Sequence, residues 1–575
     1  MMNELFNNKT RNTMKYNILI ITLFSVLFTS CQKDFLDVKS PNLTDDAIFS
    51  DPVLFETYVL NQYISIGLNG KEQNDTYGLT RGHFWCMEAC TTDEAVYSND
   101  DNSYLVQRGQ LSPSNYGWTS TDWGRSYRAI REANLCLSKM ANLTAMSSDR
   151  KKLLDGEIRF LRAFRYFNLL KDFGRVPVIG DVVSTLTDDY TPLFVRKSIP
   201  EVIDYINGEL DAAIGELPQS SSSDWKRGRA TKGAAMALKS RLLLYAASPL
   251  YTGDVNDKAK WQNAANAAKA VMDLGIYDLV SNLDPNPAEN YYQFFLTPNT
   301  KEDIFTREYT TNVTSYGAEH MNAPNGYDGW GGNCPMQNLV DDYEMANGLP
   351  ITDAASGYDA QNPYVNRDPR FYGTVLYNGK VFRGRAIETF MPGGKDSPDG
   401  SGAWNTSPTG YSMRKFCNEA VDINDWANMG KAPWKYFRYA EILLNYAEAQ
   451  NEAVGPDASV YTAINKIRTR AGMPNIPAGL SQDAMRTRIR NERRIELAYE
   501  EHRYFDVRRW KIAMVTENKP AGGIYIKKNA DGSLTFSPKV ALSGKSFSVQ
   551  HYWYPIPLEE INASNGKLEQ NPGYN

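Results

Sequence analysis

From Lys151 to Phe173 the side chains Ile158, Leu161, Phe164, Phe167 and Leu170 recur at helical spacing, which places them on one stripe of a long α-helix. The stretch meets Gly174 and then Pro177, residues that end a helix because one tolerates a left-handed cap and the other cannot continue the hydrogen-bond ladder. The same reasoning predicts helices over Trp123 to Met140, Pro200 to Leu217, Thr231 to Ala247, Lys258 to Leu274, Trp434 to Ala453, Val460 to Ala471 and Asp483 to Trp510. Thr231 to Ala247 and Lys258 to Leu274, separated by Pro249, read as a helical hairpin. A chain with so many amphipathic helices is mainly α.

Three of these helices repeat a theme. Phe164-Arg165-Tyr166-Phe167, Leu243-Leu244-Tyr245-Ala246 and Leu444-Asn445-Tyr446-Ala447 each set a Tyr among large and small apolar residues in mid-helix. Helix pairs of this kind resemble tetratricopeptide units, which cannot bury their apolar face alone and so stack on neighbours. The expected fold is therefore a mainly α, tetratricopeptide-like helical-repeat scaffold with minor β. Between residues 281 and 431 the pattern shifts to Gly, Pro, Asn and aromatics, with turn clusters at Pro324-Asn325-Gly326 and Met391-Pro392-Gly393-Gly394. A segment of that length is too long for a plain connection and is where function or small strands are expected. The organisation read from the sequence is a leader over 1–30 and a helical part over 31–280. A C-terminal part over 281–575 follows, loop-rich at 281–431, helical at 434–512 and closed by a tail.

The leader starts at Met14 and Lys15, continues with an apolar run from Ile18 to Phe28, and exits through Thr29, Ser30 and Cys31. That is the order of a secretory signal, and the run is too short for a span of about 20 residues. A cysteine directly after small residues resembles the lipobox of bacterial lipoproteins, with Phe28 standing where that box has Leu, Val or Ile. Cys31 is the expected lipidation site, and the Gln32-Lys33-Asp34 that follows is similar to the acidic signals that send lipoproteins of Bacteroidetes to the cell surface. Without Cys31 the chain keeps Cys86, Cys90, Cys136, Cys334 and Cys417, an odd number that excludes a fully paired disulfide framework. Cys86 and Cys90 stand four apart. With only four His in the chain and no second Cys pair, no zinc site is expected.

A formal net charge of -5 over 575 residues offers no basic face for nucleic acid and no polybasic attraction to anionic lipid. The chain is rich in rings instead, with 11 Trp and 35 Tyr, whose apolar faces and polar edges suit wet, amphipathic ligands.

Five spaced motifs then converge. Glu157 to Pro177 reads Glu-Ile-Arg-Phe-Leu-Arg-Ala-Phe-Arg-Tyr-Phe-Asn-Leu-Leu-Lys-Asp-Phe-Gly-Arg-Val-Pro, and Arg438 to Asn451 reads Arg-Tyr-Ala-Glu-Ile-Leu-Leu-Asn-Tyr-Ala-Glu-Ala-Gln-Asn. After Asn491 come Glu492, Arg493, Glu496, Leu497, Glu500, Arg503, Asp506, Arg509 and Trp510; the tail carries Tyr554-Pro555-Ile556-Pro557 and Gln570-Asn571-Pro572-Gly573-Tyr574. From Cys31 to Asn575 the chain resembles the SusD/RagB family of nutrient-binding outer-membrane lipoproteins. The resemblance implies a lipid-anchored protein on the outer face of the outer membrane that captures an oligosaccharide for a SusC-like TonB-dependent transporter. It implies no catalysis and no cofactor. The charged residues after Asn491 read as structural, since opposite charges three and four apart on a helix pair with one another.

A sugar offers C–H faces and a rim of hydroxyls, so its site needs flat rings with Asp and Asn around them. Relatives tend to place such rings after an acidic motif like Asp93-Glu94-Ala95, and here Trp85, Tyr97, Asp100, Asn102 and Trp118 lie around that motif. A second cluster is Tyr327, Asp328, Trp330 and Asn333 in a glycine-rich loop, and a third is Trp404. The plain alternative for each ring is burial in the core. Two other functions stay open at this stage. A glycoside hydrolase needs two carboxylates about the scissile bond, which the abundant Asp and Glu do not exclude. No His-Glu-x-x-His helix, Gly-x-Ser-x-Gly elbow or phosphate loop is present, however. A binder of peptides or other nutrients, or a protein adaptor, fits the same helical scaffold.

Overall fold

The computed structural model describes residues 45–64, 79–83, 85–99, 102–115, 119–183, 188–310 and 317–574. The leader and Cys31 lie outside the described residues. Among the described residues eight helices exceed ten residues: α1 (Thr119–Met140), α2 (Ser148–Phe173), α3 (Ile199–Glu216), α4 (Lys232–Ala247), α5 (Lys258–Met272), α6 (Tyr439–Val454), α7 (Ala458–Arg470) and α8 (Gln482–Glu496). Each of α1 to α6 packs on the next in sequence, and α6 also packs on α7 and α8. Such neighbour-on-neighbour stacking is what a helical-repeat scaffold requires. No described helix is long and apolar enough to cross a membrane.

The helix starts follow local chemistry. Ser147 accepts the Arg150 N–H, Thr231 the Ala234 N–H and Ser481 the Ala484 N–H, while Ser198 and Glu201 form a reciprocal capping box. At the other end of α2, Gly174 adopts φ 71°, and a Cβ there would stand 3.0 Å from the Trp553 ring. The predicted stripe of α2 is buried, and so are Phe160, Ala163 and Leu169 on other faces. The helix is thus enclosed by α1, α3 and the core rather than lying on a surface. Two of its buried charged side chains are firmly paired: Arg162 reaches Glu209 and Asp181, and Glu157 holds Arg229. The three thematic tyrosines Tyr166, Tyr245 and Tyr446 are buried among their neighbours.

Two predicted helices are corrected. Trp434–Arg438 is not the first turn of a helix but a strand, β4, antiparallel to β2 (Asp303–Arg307). All five of its residues are buried, and aromatic side chains at this density satisfy a strand surface as readily as a helix stripe. The predicted helix Asp483 to Trp510 breaks after Glu496 and resumes at Arg503–Arg509, with Tyr499 and Glu501 at positive φ. At the break the Glu496 carbonyl accepts from Arg438 Nη2 (2.7 Å) and the Tyr291 hydroxyl (2.7 Å), and the Ala498 carbonyl from Lys415 Nζ (2.7 Å). Tertiary donors thus replace the helical ones.

These donors belong to a buried ion network. Arg438 bridges Glu302 (2.8 Å), Glu496 (2.7 Å) and Glu500 (2.6 Å); Arg370 meets Asp368, Glu492 and Glu496; Arg468 joins Glu492 to Glu344; Lys415 meets Glu500. The carboxylates of Glu492, Glu496 and Glu500 therefore pair across elements and not along one helix, although Arg509 and Asp506 do pair at i,i+3. Their role is structural.

The loop-rich region is an insertion between α5 and α6. Its two ends are tied to each other by the pairing of β2 with β4, directly before α6 begins. A second tie joins it to the N-terminal part: β1 (Ala95–Tyr97) pairs antiparallel with β3 (Asn333–Pro335). A hairpin of β5 (Ala521–Lys528) and β6 (Leu534–Leu542) lies against it, with Ile524 donating to the Thr409 carbonyl.

Candidate functional site

The β1–β3 ladder sets the site's position. Asp93, just before β1, is buried and accepts from Arg503 (2.7 and 2.8 Å) and from Arg494. Burial alone would raise its pKa, but the two guanidinium groups hold it well below the usual carboxylate range. Its neighbour Glu94 lacks such pairing, and burial pushes it up to about 8. The Asp93-Glu94-Ala95 motif is therefore an anchor fixing the following loop to α8 and the turn beyond it. Past the ladder, Ser98 N–H donates to the Gly332 carbonyl (2.9 Å), and the Ser98 hydroxyl donates to the Trp330 carbonyl (2.8 Å).

The loop carrying Trp330 is folded tightly onto backbone. Trp330 N–H donates to the His320 carbonyl (3.0 Å), Gly331 N–H to the Ala323 carbonyl (3.0 Å), and Asn405 Nδ2 to the Gly329 carbonyl (3.3 Å). A Cβ on Gly329 would fall 2.2 Å from the Ala323 carbonyl oxygen, and one on Gly331 2.2 Å from that of Asn405. Only glycine fits such approaches. The glycines flanking Trp330 are thus what lets the ring-bearing residue sit in this crease.

Exposed rings collect around this loop. Trp330 is half-buried, with His320 edge-on to it at 5.2 Å between centroids. Trp426 lies 4.8 Å from His320 and 6.4 Å from Trp330, inclined to the latter by 60°, so the three rings form a triangle, and Trp426 is 51% exposed. Trp404, in a turn whose Asn405 touches the Trp330 loop, is 74% exposed. Trp85 is 45% exposed, with its carbonyl held by Asn333 Nδ2 at 2.8 Å. Asp328, at φ 63°, is exposed beside Trp330, and Asn102 is exposed at the start of a short helix. Large apolar rings left facing water around one loop are unusual enough to indicate a contact surface.

Not all predicted residues belong to it. Asn333 is fully buried, accepting from Met87 N–H (2.8 Å) and Cys90 Sγ (3.1 Å) and donating to Trp85 and Asn322; every polar atom is engaged in holding the loop. Tyr97 is 6% exposed within β1. Both are corrected from ligand contacts to framework, because the strand pairing turns them inward. Tyr327 is half-buried; its hydroxyl donates to the Phe382 carbonyl (2.7 Å), and Arg385 covers its ring at 3.8 Å. Asp100 and Trp118 lie outside the described residues.

Cys86 and Cys90 are buried thiols, and among the described residues no His, Cys, Asp and Glu cluster could hold a metal ion. Asp396, in the turn after Met391, is closed off by Arg385 (2.6 and 2.8 Å).

Trp426 is not among the predicted residues; the Asp422-Ile-Asn-Asp-Trp-Ala-Asn that carries it has polar turn residues but none of the glycines that surround Trp330. Beside it opens a cleft of about 430 Å³ between the 418–432 loop and the short helix Ala318–Asn322, lined in part by Glu319, Asn418, Asp422, Asp425, Asn428 and Lys431. A separate, mostly apolar groove of about 500 Å³ runs between α1, the 177–194 connection and the C-terminal tail, and holds none of the predicted residues.

Comparison with known proteins agrees with this architecture. The family model described as the SusD family matches residues 294–574, and one described as "starch-binding associating with outer membrane" matches residues 34–244. The starch-binding protein SusD of Bacteroides thetaiotaomicron is 26% identical over 599 residues, covering 97% of this chain and 98% of its own. A SusD-like protein of Bacteroides fragilis superposes with a TM-score of 0.75 at 29% identity, over 92% of this chain and 99% of its own. A SusD-like carbohydrate binding protein from the same organism superposes with a TM-score of 0.72 at 26% identity, over 90% and 98%.

Proposed function

The chain belongs to the SusD family, and from that premise we propose that it is a non-catalytic, surface-exposed lipoprotein that captures an oligosaccharide. It delivers that ligand to a SusC-like TonB-dependent transporter of the outer membrane, to which membrane it is held through lipidated Cys31. The observation that carries the reading is the gathering of Trp85, Trp330, Trp404 and Trp426 about one glycine-built crease, with Asp328 beside them. Rings of this kind stack on the C–H faces of sugars while neighbouring polar groups meet the hydroxyls. The names of two relatives, a starch-binding protein and a carbohydrate binding protein, support the same class of ligand.

The ring set discriminates between ligand classes. A peptide or nucleotide site is expected to present strong charge to its ligand, whereas this surface offers mainly ring faces. The test is a glycan array probed with the lipid-free chain from Gln32 onward, with Trp330→Ala alongside. Binding to at least one neutral glycan is expected, together with a loss of tenfold or more in Trp330→Ala and recovery of the glycan uncut. Cleavage of the glycan, or an array on which nothing binds, overturns the proposal.

A further inference from the structure

The groove between α1, the 177–194 connection and the C-terminal tail is a concave site of a different kind from the Trp330 loop. α1 presents Trp123, Tyr127 and Ile130 to it, at the spacing of one helix face. The connection adds Ile179, Tyr190 and Phe194, and the tail adds Leu568 and, from the short helix Leu558–Ala563, Glu560. Trp123 is buried and packs edge-on against Phe173 at 5.0 Å, so it belongs to the floor, whereas Tyr190 is exposed and belongs to the open side. The Tyr127 hydroxyl donates to the Pro177 carbonyl (2.9 Å), which satisfies its polar end and leaves the ring as wall.

The walls are tied down by the protein itself. Ile179 N–H donates to the Tyr166 hydroxyl (2.9 Å), Asn134 Nδ2 to the Val182 carbonyl (2.9 Å) and Leu558 N–H to the Pro113 carbonyl (2.8 Å). Arg196, just past the connection, donates to the carbonyls of Arg175 (2.7 Å) and Glu569 (3.0 Å), which joins the tail to the base of the connection. The space kept open in this way, about 500 Å³, lies in the ordinary range of small-molecule sites. Preset walls also keep the ordering cost of binding low.

Glu560 sets the chemistry. No cation pairs with it among the described residues, and burial, together with the adjacent Glu559, pushes its carboxyl up from the usual range. Arg131 also borders the groove but is exposed, so water and salt screen its charge. A carboxylate short of a counter-ion beside aromatic faces attracts a cation twice, through its charge and through the ring quadrupoles. We propose that this groove is a separate ligand site for a small aromatic amine, whose flat body lies among Tyr127, Tyr190 and Phe194 and whose ammonium group meets Glu560. The site is independent of the glycan surface, since none of the rings assigned to sugar lines it.

Three probes with one ring system and different charge test this: tryptamine, 3-methylindole and indole-3-acetate, titrated calorimetrically at neutral pH into the lipid-free chain from Gln32 onward. Tryptamine should bind at least about fivefold more tightly than either of the others. Glu560→Gln should bring tryptamine down to the level of 3-methylindole while leaving 3-methylindole within about twofold of wild type, because only the charged contact is removed. Phe194→Ala should weaken every probe that binds, and Trp330→Ala none of them. Matching unfolding midpoints show that the variants are folded; where Phe194→Ala lowers the midpoint, Phe194→Leu keeps the apolar wall and removes the ring. The proposal is overturned if no probe binds, if indole-3-acetate binds as tightly as tryptamine, or if Glu560→Gln leaves tryptamine unchanged. Self-association of the wild type that Phe194→Ala abolishes overturns it too, since a second copy then fills the groove. The glycan array reports on the other site, so either reading can fail alone.

Discussion

Replacing Arg438 by Met tests whether the buried ion network holds the scaffold. Arg438 is 1% exposed and is shared by Glu302, Glu496 and Glu500, all themselves buried. Removing one partner of a buried pair costs about 3–5 kcal/mol, because the charge left behind is desolvated without compensation. Each orphaned carboxylate keeps another cation, Arg470 for Glu302, Arg370 and Arg470 for Glu496, and Lys415 for Glu500. The lower end, about 3 kcal/mol, is therefore the expected loss at neutral pH. The pH dependence gives the sharper test. In the wild type, burial pushes Glu496 and Glu500 up, but the surrounding cations, Arg438 among them, hold both below the usual carboxylate range. Their contribution is thus present above the unfolded carboxylate pKa of about 4.3 and is lost as the pH falls below it. In Arg438→Met one of the cations that lower these carboxyls is gone while burial remains, so their folded pKa values rise toward the unfolded value. The penalty is then full at neutral pH and relaxes as the carboxyls take up protons. Urea unfolding followed by intrinsic fluorescence at about pH 3.5, 4.5 and 7.5 should show the gap between variant and wild type narrowing toward low pH, below the unfolded carboxylate pKa of about 4.3. A loss below about 1 kcal/mol at neutral pH, or a gap that does not move with pH, refutes the reasoning.

Two further outcomes follow from the same geometry. Gly331→Ala places a methyl group 2.2 Å from the Asn405 carbonyl oxygen at φ 70°. It should weaken glycan binding as much as Trp330→Ala by displacing the ring, while far-ultraviolet circular dichroism stays that of the wild type. Glu448, which Arg509 and Trp510 hold at about 2 against the opposing effect of burial, contributes stability above the unfolded carboxylate pKa that disappears as pH falls through about 2. Glu448→Gln should cost roughly 3 kcal/mol at neutral pH and remove that part of the acid slope, as read from unfolding midpoints between about pH 2 and 7.

The helices that the sequence disclosed are those whose apolar spacing and caps are local properties. α2 begins at a Ser cap and ends at a Gly, and nothing distant is needed to place either end. The two misread helices fail for a common reason. Whether Trp434–Arg438 is a strand depends on β2, well over a hundred residues earlier, and the break after Glu496 depends on Tyr291, Lys415 and Arg438 arriving from elsewhere to take its carbonyls. No periodicity within either segment carries that information. The site shows the same division. The glycine-rich loop about Trp330 stands out in the sequence, and in the structure a Cβ on Gly329 or Gly331 would meet backbone. Asn333 was misassigned because a polar residue in such a loop reads as a rim group until the pairing of β3 with β1 is known. Trp426 has no flanking glycines to mark it in the sequence, and its place beside Trp330 is set by His320, which packs against both rings.

The position of the site on an insertion also has a physical consequence. Rings on a long connection are ordinarily mobile, and mobility lowers affinity because order must be restored on binding. Here the connection is clamped at its base by β2 and β4, and the last residue of β4 is Arg438. That residue ends the clamp, precedes the first turn of α6 and bridges three carboxylates of the network, so the scaffold's ion pairs and the seating of the insertion meet in one side chain. The β1–β3 ladder makes the matching connection on the other flank, where Asp93 binds Arg494 at the end of α8 and Arg503 just past the helix break. Both attachments of the ring-bearing surface thus run to the same stretch from Gln482 to Arg509, where they interleave about the turn at Tyr499 and Glu501. The charged motif after Asn491 supports the ring-bearing surface without being part of it, by tying down its two flanks.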